Sequence, residues 1–255
     1  MFLKKWHLVM KIVPLLVLIF ILKLVFHYYG WEIITLSALF TSLIASTTFL
    51  IGFLITGVIS DYKESEKIPG DLAASLEVIY DEACILEKNH GSKNKVVKDF
   101  LVFYQGFLKD IDNWFYRKEK TKDIIVKLQG FNNHFSDLEP LMPANFLVRM
   151  KSEQANVRRM IIRIDNIRDL PFIQSAYAIV ETLGFFVIIS LLVLKLEPFY
   201  ESVFFTLLVS LMLIYMVMLI KDLDNPFDYS GHSNNKTEVS IKPVHDLLSR
   251  VKIRK

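Results

Sequence analysis

Apolar residues gather in four long runs, at about 8–29, 33–60, 172–194 and 199–220, separated by a polar middle and followed by a polar tail. Each run is near the ~20 residues needed to cross the hydrocarbon of a bilayer as a helix. The pattern predicts two membrane-spanning hairpins around a cytoplasmic region: 1–60 as the first hairpin, 61–170 as a helical domain, 171–221 as the second hairpin and 222–255 as a tail.

In the middle, Leu72, Leu76, Ile79, Ala83 and Leu86 recur at helical spacing behind Asp71, a residue suited to open a helix, and Gly91 ends the pattern. Phe100, Tyr104, Phe107, Ile111 and Trp114 repeat that spacing on a helix predicted over 94–128, which becomes strongly charged from Arg117 to Lys122. An Asn-rich loop is expected from Gly130 to Pro143. A third helix over 144–169 carries Val157, Met160, Ile161, Ile164 and Ile167 on its inner side, and Leu170-Pro171 interrupts the chain before the third span. Near the end, Ser240 and Pro243 introduce a short amphipathic helix bearing Val244, Leu247, Leu248 and Val251. Its basic end, Arg250 to Lys255, suits either a plain surface helix or contact with anionic lipid or a neighbouring subunit. No strand pattern stands out, so the class is all-α.

Composition agrees with the pattern. Hydrophobic residues make up 53% of the 255 positions and mean hydropathy is +0.36, too apolar for an ordinary soluble domain. The chain reads as a multi-pass protein of the cell membrane with the lipid bilayer as its surroundings. Lys4, Lys5 and His7 precede the first span, and the turn after it has Glu32 as its one acidic or basic residue, so both termini are expected in the cytoplasm. A single cysteine, Cys84, excludes an intramolecular disulfide framework. Basic and acidic residues alternate through the middle, which argues against a nucleic-acid partner.

Candidate chemistry is sparse. His27, His90, His134, His232 and His245 lack a second ligand at helical spacing, Cys84 has no paired thiol, and no phosphate loop or nucleophile motif occurs, so neither a cofactor nor an enzymatic activity is expected. Glu77, Asp81 and Glu82 read as a solvated helix face. Charges inside the spans carry more information, because burying one in lipid costs several kcal/mol. Lys23 either lines an outer vestibule or snorkels outward, and Glu181 calls for a polar partner across the bundle or an aqueous cavity. The two lie at different depths, which argues against their pairing directly.

The second span has no ionisable residue from Ile33 to Ser60 and then meets a burst of charge at Asp61. Four-residue spacing stacks Ala45, Phe49, Phe53 and Gly57 on one face, among hydroxyls that include Thr41 and Thr56. Two readings fit: an ordinary lipid-facing span, or a pore neck in which several copies present successive phenyl rings that gate by dewetting. Phenyl edges carry partial positive charge and would accept a poorly hydrated anion more readily than a small cation.

Phe49-Leu-Ile-Gly-Phe53, the following Leu54-Ile-Thr56, the exit through Asp61-Tyr62 and Ile68-Pro69-Gly-Asp71, and Asn225-Pro226-Phe227 after the last span resemble the corresponding segments of bestrophins. The chain as a whole resembles the bestrophin-like membrane proteins of microbes. This resemblance implies a homopentamer around one central pathway for inorganic ions, mostly anions, with Phe49 and Phe53 at its neck and Ala45 widening the neck where a larger aliphatic residue is common. Thr41, Thr56, Gly57, Lys23 and Glu181 are the further candidates for lining it. The acidic run that clasps calcium in the animal channels is missing here. Asp222, Asp224 and Asp228 remain a weak oxygen cluster, and calcium gating is not expected. A different class of function, a non-conducting signalling or scaffold protein working through its cytoplasmic helices, fits the same layout.

Overall fold

A computed structural model describes residues 6–91, 94–169, 174–224, 226–229 and 238–253. The expectations for Lys4 and Lys5, Leu170-Pro171, Asn225, the linker from Ser230 and the basic end at Arg254 and Lys255 lie outside the described residues. The chain divides into two compact units, Met1–Tyr62 with Pro171–Asp224, and Lys63–Leu170 with Asn225–Lys255. Among the described residues the protein is all-helical apart from one very short strand pair.

The first unit contains α1 (His7–Tyr28), β1 (Ile34–Thr35), the first part of α2 (Ala38–His90), α6 (Gln174–Leu192), β2 (Leu194–Lys195) and α7 (Phe199–Leu223). Helices α1, α2, α6 and α7 are long and apolar enough to cross a membrane, as expected of a multi-pass membrane protein. One face of α2, through Phe40, Ile51 and Val58, packs into a core with Val180, Val187 and Leu191 of α6, Leu194, and Leu213 and Ile220 of α7. Helix α1 ends at Gly30, whose φ of 67° is left-handed. The Gly30 N–H donates to the carbonyl of His27 and the Trp31 N–H to that of Phe26, so the last carbonyls of the helix are satisfied within the turn. β1 and β2 then pair in parallel, Ile34 opposite Leu194 and Thr35 opposite Lys195, tying the two hairpin turns together. Strands of two residues leave no alternation for a sequence pattern to register.

The second unit is built from α2 beyond Lys63, α3 (Lys95–Phe115), α4 (Thr121–Leu138), a 3₁₀ turn at Glu139–Leu141, α5 (Ala144–Asp169) and α8 (Lys242–Ile253). The expected seams of α2 and α3 are buried in full, from Leu72 to Leu86 and from Phe100 to Trp114. Phe131 of α4 meets Phe107 edge-on at 5.0 Å between ring centroids, and Tyr104 donates its hydroxyl proton to the Leu76 carbonyl at 2.6 Å. On α5, Val157, Ile161 and Ile164 are buried while Met160 and Ile167 are only half-buried. Helix α8 buries its whole apolar face within this unit and adds His245 Nε2 to Asp112 at 2.9 Å and an Arg250–Glu77 pair, which makes it part of the unit's core.

Three boundaries differ from expectation. Helix α2 runs unbroken from Ala38 to His90, through the charge burst and through Pro69. Proline removes one helical N–H, but Ile68 and Leu72 beside it are both buried, and their packing outweighs the local penalty. The expected 94–128 helix is two, because α3 closes at Arg117, which adopts φ 55° and donates its N–H to Trp114 while Lys118 donates to Asn113. The expected loop from Gly130 is instead the second half of α4. Its asparagines Asn132 and Asn133 lie on the exposed face while Phe131, Phe135 and Leu138 are buried. Polar composition there marks a solvated helix face, not a break.

Candidate functional site

With one face of α2 committed to the core, the opposite face stands out from the chain. Phe49 is 75% exposed and Phe53 70% exposed, one helical turn apart. Ala45, Thr41 and Thr56 are exposed on the same helix and Gly57 is partly so. Thr41 donates its hydroxyl proton back to the Ser37 carbonyl at 3.1 Å and Thr56 to the Gly52 carbonyl at 2.9 Å, so these threonines need no partner from another helix. A β-carbon built on Gly52 would meet nothing within 4 Å, which leaves this side of α2 open around the two phenyl rings. The result is an apolar and hydroxylated stripe free of ionisable groups, continued by charge from Asp61 onward.

The charged candidates sit elsewhere in the first unit. Glu181 on α6 pairs with Lys221 on α7 at 2.5 Å, both about half exposed, which supplies the polar partner across the bundle that its place in a span requires. Lys23 and Glu181 therefore have separate partners, and the direct pair argued against from their depths does not form.

No family model matches the sequence, and no curated protein does. Solved structures do. The bacterial bestrophin homologue from Klebsiella pneumoniae matches with a TM-score of 0.76 at 13% identity, over 95% of this chain and 97% of that one. Two of its point variants match at 0.74 with 13% identity, over 96% and 98%, and at 0.75 with 14% identity, over 96% of each chain. This is the bestrophin fold. At such identities the likeness is one of backbone layout, and the side chains must be judged on their own contacts.

Within this bestrophin fold, Lys23 departs from the vestibule reading given to it. Its side chain is buried, so the ammonium does not line an open vestibule; it reaches instead to groups at the two hairpin turns. Nζ lies 2.7 Å from Glu32 Oε1 and donates to the carbonyls of Leu194 at 2.5 Å, Leu192 at 3.2 Å and Leu191 at 3.4 Å. The other Glu32 oxygen is 2.9 Å from His27 Nδ1, and the His27 ring stacks on Phe199 at 3.7 Å. Burial pushes the Glu32 carboxyl upward, but the His27 bond and the Lys23 ammonium more than offset it and hold it below the usual carboxylate range. Sequence periodicity missed this pair because residues nine apart, across a helix end and a turn, share no helical face. A buried lysine without a partner at helical spacing was the one available signal.

Asp222 and Asp224 close α7 in one unit, while Asp228 belongs to the other and lies 4.0 Å from Arg117 Nε. Among the described residues no group of three or more His, Cys, Asp or Glu side chains could hold a metal ion. Glu82 departs from the solvated face expected of it: it is buried and paired with Arg149 at 3.0 Å, while Asp81 is exposed.

Proposed function

We propose that the protein is an oligomeric, bestrophin-like ion channel, a homopentamer in which α2 of each copy turns Phe49 and Phe53 toward a central axis as a hydrophobic neck. Ala45 and Thr41 flank the neck on one side, and Thr56 and Gly57 on the other. Both termini lie in the cytoplasm, and the permeant ion is an anion that passes the positive edges of the phenyl rings. The protein has no enzymatic role on this reading. The observation that carries it is the pair of phenylalanines, 75% and 70% exposed one turn apart, on the face of α2 that the chain's own core leaves uncovered. The bestrophin fold supports the reading by analogy, and the absence of ionisable residues from Ile33 to Ser60 supports an apolar constriction.

The test is the mass of the intact assembly in mild detergent together with ion flux into liposomes. Five copies and an anion flux are the expected result. A monomer or dimer that carries no ion would overturn the channel and favour a scaffold acting through the cytoplasmic helices.

A further inference from the structure

Ion conduction leaves the buried Lys23 without a task. Leu191 and Leu192 are the last residues of α6, whose final carbonyls have no partner within the helix and carry the negative end of its dipole. Lys23 reaches them from α1, together with the Leu194 carbonyl in β2. Helix α7 adds Ser202, which donates to Leu194 at 3.2 Å, and Thr206, which donates to Leu191 at 3.3 Å. The same ammonium holds Glu32, which lies just ahead of β1 and α2. One cation thus joins α1, the end of α6, the β1–β2 pair and the segment that leads into α2.

We infer that Lys23 is the positioning residue for the start of α2, and through it for the Phe49 and Phe53 face. The ammonium acts as a cap on α6 and an anchor for Glu32. Its consequence for flux rests on the channel reading, whereas its consequence for geometry does not. The three carbonyls around Nζ match the three N–H donors of an alkylammonium ion, and the Glu32 carboxylate at 2.7 Å balances its charge.

The experiment uses the full chain in liposomes, with Cys84→Ser, spin labels at Leu39→Cys and Tyr200→Cys, and labelled copies diluted in unlabelled ones. Both labelled positions are exposed, at 84% and 71%, on α2 and α7 of the first unit. The distance distribution should widen about twofold in Lys23→Ala, as expected of a helix end released from its anchor. Methylammonium should narrow it again, whereas tetramethylammonium, which has no N–H, should not. An unchanged distribution in Lys23→Ala, or equal effects of the two amines, would overturn the inference. If Lys23→Ala does not assemble, Glu32→Gln decides: a widened distribution supports the anchor and an unchanged one overturns it. Flux should change several-fold in parallel with the widening. A parent protein that carries no ion overturns the channel reading while the distances still decide the role of Lys23.

Discussion

Glu32 shows how much a single side chain in a hairpin turn can hold. With its side chain 7% exposed beside a lysine at 1%, it belongs to the class of buried pairs whose rupture costs about 3–5 kcal/mol, because the remaining partner is left charged and uncompensated. Glu32→Gln should therefore lower thermal stability substantially at pH 7. Since the folded carboxyl titrates below its unfolded value, its contribution is present above the ordinary carboxylate range and disappears as pH falls through the folded value. The gap in melting temperature between the protein and Glu32→Gln should accordingly close as pH falls below the ordinary carboxylate range. A gap that stays constant with pH would mean that the carboxylate charge contributes nothing. At this scale the sequence displayed Phe49 and Phe53 plainly, because a pair of aromatic residues four positions apart in an apolar span is a local pattern. The partners of Lys23 are backbone carbonyls some 170 positions away, set by how α1 lies against the end of α6, and no local pattern encodes them.

Among the elements, spans and seams were legible while the breaks were not. Helix α5 runs over the predicted 144–169, and the buried faces of α2, α3 and α8 follow their 3.6-residue spacing, since burial of a periodic face is what makes such helices stable. The stop after α3 was hidden because its left-handed residue is an arginine. Arg117 holds φ 55° at a cost of roughly 1–2 kcal/mol that glycine would not bear. It also sits near Arg168, whose guanidinium, stacked 4.6 Å over Trp114, is pulled down to about 10 by burial first and by Arg117 second. Arg117→Gly relieves both strain and repulsion and gives up only a 4.0 Å surface contact with Asp228, worth little. It should raise the melting temperature by an amount corresponding to about 1 kcal/mol, read by calorimetry in detergent. A lower melting temperature would mean that the Asp228 contact outweighs the backbone strain. The unbroken α2 teaches the converse: Pro69 and the charges after Asp61 are strong local signals for a boundary, and buried neighbours on both sides override them.

For the whole molecule, the question is which medium touches the outer face of α2. An amide at a lipid-facing position in mid-span costs several kcal/mol, because nothing in hydrocarbon bonds to it, whereas at a narrow aqueous constriction it is hydrated. Phe53→Asn and Phe204→Asn therefore separate the alternatives, since both native rings are well exposed on the chain, at 70% and 59%, on different spans. If α2 lines a dewetting neck, Phe53→Asn should leave assembly and melting temperature close to those of the parent and raise flux several-fold, because a polar ring keeps the constriction wet. Phe49→Asn should act in the same direction, and the double variant should add little, since once one ring is wetted the other is no longer an isolated dry barrier. Phe204→Asn on α7 should instead lower the melting temperature and leave flux per assembled complex unchanged. If Phe53→Asn behaves like Phe204→Asn, the exposed stripe of α2 faces lipid and its phenyl rings are ordinary membrane contacts. Reversal potentials in a salt gradient then add the sign of the ion. An edge-on phenyl neck predicts a preference for the anion that weakens in Phe53→Asn, because an amide offers both N–H and carbonyl groups to whatever passes.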